Sequence, residues 1–443
     1  MKTNKRELTV FAVCAYAVPF LMMPLLYICL QNGQDTSIFA NAQMFYPAAG
    51  VMLAFLLAKR QETPKRFYSL HIVSAVLMLV MSVLSVAMPQ TGWLTIANVV
   101  IIIASVLGWI LLLTEKKERR EAYGLRLHGK FLTALAICVY FLAVKTGMVF
   151  LSVAMLGGDT WANYLAYWRS PTPWIMAMAL IPNFFLSFLP FFGEEYGWRY
   201  YLTPALQGRF GARRGALAVG VLWGLWHLPL NLFFYSPETT LQSIASQLVV
   251  CMTLGVFFTF AYEKCGKNIW VPILLHYLNN NMILVWTGTA DISNQVIRWA
   301  DVGVSAVMYA AVFLPFLAAK CYRRGEALHH RNKINPAGHS QKKSPAGLLL
   351  LLLNYTANAL CSASRAASSS CWRMSREMSR SLVVMSTIST FAPDRAARAR
   401  AATPQLVTIS SPKRLILLYP PETSGGLALA AAGRAFMTAA KLS

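Results

Sequence analysis

The sequence predicts an all-α protein, a polytopic bundle of about ten transmembrane helices with a polar cavity open to the cytoplasmic side. Three observations carry that expectation. The 443 residues are 56% hydrophobic and only 13% charged, with a mean hydropathy of +0.48, values uncommon in soluble domains and ordinary in multi-span membrane proteins. Ten apolar runs approach the ~20 residues a helix needs to cross a bilayer core. Every second connection between those runs is basic, the pattern that orients membrane helices.

The runs fall at about residues 8–30, 39–58, 67–88, 92–114, 131–156, 173–198, 215–235, 241–262, 269–288 and 301–319. Barrel strands would be about half as long. The first run follows MKTNKREL, a basic start that resembles a cleaved leader, yet it is long enough to span and no small-x-small pattern follows it. It reads as a retained helix. Lys59, Arg60, Lys65 and Arg66 mark one basic loop, Lys116 to Lys130 a second, Arg199 to Arg214 a third and Lys264 with Lys267 a fourth, whereas the intervening loops hold only Arg169 and Arg298. The positive-inside rule then places both ends of the ten-helix body in the cytoplasm, and the many short cytoplasmic loops suit a cell inner (plasma) membrane.

The formal net charge of +23 does not point to nucleic acid, because the cations sit in short clusters between apolar runs. Eight cysteines show no CxxC and no paired spacing, so neither a disulfide framework nor a cysteine zinc site is expected. The expected organisation is N-terminal transmembrane helices over 1–168, catalytic helices over 169–290, a last helix with a basic end over 291–335, and a tail over 336–443. Residues 326–443 carry 15 Lys and Arg against 4 Asp and Glu and have no sustained helical period. That tail reads as a disordered basic extension, an altered reading frame or a fusion; the apolar stretch 347–360 is short for an eleventh span.

Ionisable groups at membrane depth are costly and mark function, and here they are few: Lys145, Glu194, Glu195, His227 and His276, with His71 near the start of the third run. In FFGEEYGWRYYL, Glu195 and Arg199 are four apart and share a helix face, which leaves Glu194 rotated by about 100° for another partner. Trp223 and His227 share a face of the seventh run, beside Pro229, and His276 and Asn280 share one on the ninth. A carboxylate, two imidazoles and a carboxamide in a shielded cavity are the parts needed to activate water and to hold the oxyanion of amide hydrolysis. Glu194, His227 and His276 also match the His₂Glu set of catalytic zinc sites, although HExxH is absent and a divalent metal would have to be held by three helices. No GxSxG elbow lies in a span.

Lys145 could pair with a glutamate or line a cavity wall. Trp93, Trp161, Tyr200 and Tyr201 suit interfacial belts, and Asn231 stands where it could orient His227.

These motifs resemble those of the CPBP intramembrane protease family, also called the CAAX-protease and bacteriocin-processing (Abi) family. EExxxR, FxxxH and HxxxN correspond in order to Glu194–Arg199, Trp223–His227 and His276–Asn280, with Trp223 replacing the family's Phe. The resemblance covers about residues 170–290. It implies that Glu194 and His227 activate water, that His276 and Asn280 form the oxyanion site, and that Glu195 and Arg199 hold the first motif. It further implies an intramembrane endopeptidase, metallo- or glutamate-type, acting on a membrane-associated peptide or protein. Two other readings use the same polar residues: a non-proteolytic membrane partner or bacteriocin-immunity protein, and a proton-coupled transporter. The chain shows no internal repeat that would favour the transporter.

Overall fold

The computed structural model describes residues 4–127 and 130–334. The expectations for the tail, 336–443, lie outside the described residues. The long helices, in chain order, are α1 (Lys5–Gln31), α2 (Ser37–Leu57), α3 (Lys65–Ala87), α4 (Trp93–Thr114), α5 (Phe131–Leu156), α6 (Thr172–Phe210), α7 (Ala212–Tyr235), α8 (Pro237–Lys264), α9 (Trp270–Thr287) and α10 (Trp299–Ala318). No strand occurs among the described residues. All of these helices except α9 are long and apolar enough to cross a membrane, giving nine spans on that measure among the described residues where the sequence suggests ten. The exception has a physical cause: His276, Asn279, Asn280 and Asn281 dilute the apolar character of a helix only 18 residues long.

Burial sorts the helices into layers. α2 and α7 are the most enclosed, 83% and 78% buried along their apolar stretches, while α10 is only 6% buried. Outward-facing Ile103, Leu113, Leu132, Ile175, Met178 and Val307 are exposed apolar side chains, as the lipid-facing surface of a multi-pass membrane protein requires. Connections are braced by ion pairs: Arg60 with Glu7 at 2.8 Å, and Arg119 with Glu62 at 2.8 Å and with Glu115 at 3.3 Å.

Two helices are broken where the polar residues sit. In α6, Pro190 cannot donate the backbone hydrogen bond of a regular turn, and the chain kinks at Ser187 (φ −139°, ψ 22°). The α-helical part ends at Glu195, a π-helical segment runs over Tyr196–Leu202, and α-helix resumes at Thr203–Phe210. In α7, regular helix ends at Trp226; His227 takes φ −78° and ψ 0° two residues before Pro229, and the helix closes with a π-helical turn, Asn231–Tyr235.

Gly193 and Gly197, either side of the glutamate pair, allow α6 to lie directly on α2. A Cβ at 193 would stand 2.3 Å from the Met44 carbonyl oxygen, and one at 197 would stand 2.4 Å from Pro47 Cβ. Close backbone approach of this kind is how membrane helices gain packing contacts.

Candidate active site

The acids of α6 reach the bundle interior with Glu194 1%, Glu195 0% and Arg199 0% exposed. Glu195 Oε2 and Arg199 Nε are 3.1 Å apart, an ion pair without the alignment of a hydrogen bond. The guanidinium is also stacked, 4.4 Å from the Trp223 ring and 5.2 Å from that of Phe258, and cation–π contact stabilises a charge removed from water. The pairing expected from the four-residue spacing is therefore present.

Glu195 has a second partner. His276 Nδ1 lies 2.9 Å from Glu195 Oε1, while its Nε2 faces Glu194 Oε1 at 3.9 Å. The nearer contact identifies Nδ1 as the donor to Glu195 and leaves Nε2 directed at Glu194. This corrects the division of labour drawn from spacing alone, in which Glu195 served only Arg199. The other Glu194 oxygen, Oε2, accepts from the indole nitrogens of Trp223 at 2.7 Å and Trp198 at 3.3 Å.

His227 joins the cluster indirectly. Its Nδ1 is 2.9 Å from the Trp223 carbonyl oxygen and 3.8 Å from Cys251 Sγ. Donation from Nδ1 to the carbonyl leaves Nε2 as the ring's acceptor. Glu194 and His227 share no direct hydrogen bond; both are tied to Trp223, one through its side chain and the other through its backbone. Asn280 is half-buried, and its carboxamide oxygen accepts from Asn279 Nδ2 at 2.9 Å, which leaves its amide nitrogen as a donor.

Several residues singled out from sequence are structural. His71 Nε2 is bonded to the Phe45 carbonyl oxygen at 3.0 Å between aromatic neighbours. The Lys145 ammonium contacts the Tyr309 hydroxyl and lies over the Tyr309 and Trp286 rings, not against a glutamate. Asn231 donates to the His227 backbone carbonyl rather than to the ring. Tyr201 is fully buried and so does not belong to an interfacial belt, whereas Tyr200 is half-buried with its ring stacked on Tyr196 at 4.4 Å.

Sequence reasoning missed three side chains. Trp198 is four residues after Glu194, the same spacing that linked Glu195 to Arg199, so its signal was present. Tyr235 closes α7 with its ring 6.5 Å from that of His227, a position that depends on the π-helical turn. The Trp223 indole, in sequence only an aromatic in place of Phe, is a hydrogen-bond donor to Glu194.

Among the described residues no three His, Cys, Asp or Glu side chains are grouped so as to hold a metal ion. Glu194, His227 and His276 therefore do not form a His₂Glu tripod in this arrangement. The described cysteines, Cys14, Cys29, Cys138, Cys251, Cys265 and Cys321, are free thiols.

The interior of this helical bundle holds a paired-glutamate motif and two histidines on separate helices. Residues 172–282 match the family described as type II CAAX prenyl endopeptidase Rce1-like. Over that segment the chain is similar to the CPBP/CAAX protease family. CAAX prenyl protease 2 of Methanococcus maripaludis is 33% identical over 105 residues, covering 23% of this chain and 39% of that protein. No solved structure matches the chain.

Proposed function

We propose that the chain is an intramembrane endopeptidase that hydrolyses a peptide bond of a membrane-associated protein or peptide. One observation carries the reading furthest: Glu194 has one oxygen held by two indole N–H groups and the other facing His276 Nε2, inside a closed bundle. A carboxylate fixed in this way has one defined free edge.

In the proposed reaction, Glu194 Oε1 accepts a proton from water, with His227 Nε2 as the neighbouring acceptor that orients it. The water oxygen forms a bond to the scissile carbonyl carbon, and the carbonyl electron pair moves to oxygen. Asn280 Nδ2 and His276 donate to that oxyanion; donation from His276 Nε2 requires a proton there as well as on Nδ1. Collapse breaks the C–N bond, the proton held by Glu194 passes to the leaving nitrogen, and a carboxylic acid and an amine result; the acid's proton then passes to the amine, giving carboxylate and ammonium. Glu195 and Arg199 hold His276 and the first motif. Positioned acid–base and oxyanion groups are each worth about 10²–10³-fold or more in rate.

The charge alternation supports cytoplasmic placement of both ends of the ten-helix body in a plasma membrane. Residues 169–290 supply the catalytic helices in this reading, with 1–168 and 291–335 completing the bundle. The test is cleavage of a membrane-bound reporter by the parent and by Glu194→Ala and His227→Ala, all inserted at equal levels. Equal cutting by either variant would sink the assignment. Protection from a bacteriocin that persists in Glu194→Ala would point instead to a non-proteolytic partner role.

A further inference from the structure

We infer that Trp223 is a positioning residue whose indole N–H fixes the carboxylate of Glu194 in its reactive orientation, a role a phenylalanine at this position could not perform. The inference rests on the endopeptidase reading and deepens it.

Trp223 touches four members of the site, Glu194, Arg199, His227 and His276. Its Nε1 donates to Glu194 Oε2 at 2.7 Å, its ring face receives the Arg199 guanidinium at 4.4 Å, its carbonyl accepts from His227 Nδ1 at 2.9 Å, and its ring meets that of His276 edge-on at 5.4 Å. The side chain is 3% exposed, so the bond to Glu194 has little competition from solvent. Trp198 bonds the same oxygen at 3.3 Å, making Trp223 the shorter of two donors. Together they commit Oε2 and leave Oε1 for water. A donor to a carboxylate stabilises its ionised form, which is the form a general base needs. The titratable and charged groups around Glu194 are Glu195 and Arg199 on α6, His227 and Tyr235 on α7, Cys251 on α8 and His276 on α9.

Trp223→Phe isolates the N–H. It retains an aromatic face for Arg199, an edge contact for His276 and the backbone carbonyl for His227. Replacement of Trp223 by 3-benzothienylalanine does the same with nearly unchanged volume. Both are compared with the parent, Trp198→Phe and Glu194→Ala on a membrane-bound reporter over a range of pH. The expected result for the Trp223 variants is a kcat lower by about 10- to 100-fold at neutral pH, a KM within about threefold of the parent, and an acidic limb of the rate profile moved to higher pH. Part of the loss returns as pH rises. Trp198→Phe gives the same change at smaller amplitude.

If Phe leaves a cavity that prevents insertion, the benzothienyl variant decides alone. A parental pH profile in the benzothienyl variant, or a loss expressed only in KM, overturns the role of Trp223. Parental activity in Glu194→Ala would instead overturn the endopeptidase reading itself, so the two failures are distinguishable.

Discussion

His276 Nδ1 sits 2.9 Å from Glu195 Oε1 while Glu195 Oε2 sits 3.1 Å from Arg199 Nε, so one carboxylate joins an imidazole on α9 to a guanidinium on α6. The doubled acid is thus two different components: Glu195 is a structural bridge, and Glu194 keeps a free edge.

That difference separates the two glutamates by experiment. Glu194→Gln is expected to insert and melt close to the parent and to lose at least about 10³-fold in cleavage. Glu195→Ala leaves Arg199 buried without its counter-charge and is expected to destabilise the protein by about 3–5 kcal/mol. Thermal unfolding in detergent, read beside reporter cleavage, checks both, and similar stability losses for the two variants would refute the division.

The glycines beside the acids predict a steric effect. Gly193→Ala would place a methyl group 2.3 Å from a main-chain oxygen of α2. Backbone cannot rotate away as a flexible side chain does, so a loss of about 1–3 kcal/mol in stability is expected, with activity falling in step. An unchanged melting temperature would show that α6 and α2 are further apart than described.

Lys145 predicts the opposite outcome. It is buried against Tyr309 and Trp286, and no ion pair joins it to a carboxylate among the described residues. Replacement of a buried charge by an apolar chain of similar length is often neutral or stabilising. Lys145→Met is therefore expected to retain cleavage within about twofold and to melt no lower than the parent, judged from initial rates and melting curves. A tenfold loss of activity would give Lys145 a role in the reaction.

Metal content offers a further check. Because Glu194, His227 and His276 do not converge as a tripod, purified protein is expected to carry substoichiometric zinc and to keep its activity after treatment with a chelator. Elemental analysis and a cleavage assay on the same sample decide it. One zinc per chain, lost together with activity, would mean that the three side chains rearrange around an ion.

The transmembrane organisation was legible because apolar length and loop charge report it separately. It was least legible at α9, where the residues that suggest chemistry, His276 and the run Asn279–Asn281, are also those that weaken the apolar signal. Within the site, contacts at helical spacing could be read: Glu195 with Arg199, and in principle Glu194 with Trp198. Contacts between helices could not. That His276 meets Glu195 first, across 81 positions of sequence, depends on the rotation of α9 against α6. That Trp223 donates to Glu194 depends on the separation of α6 and α7. His71 and Lys145 were flagged because polarity within a span signals function or a satisfied structural bond equally well, and only their partners distinguish the two.

The contact of Gly193 and Gly197 with α2 limits how this chain can be divided. The recognisable family segment begins at residue 172, yet the glycines flanking the glutamate pair pack directly on Met44 and Pro47 of α2. A chimera that transplants only the recognisable segment onto another set of N-terminal helices would carry every motif residue and lack the surface on which the acids are seated. The smallest exchangeable unit includes residues 37–57, so sequence recognisability and structural autonomy have different borders in this protein.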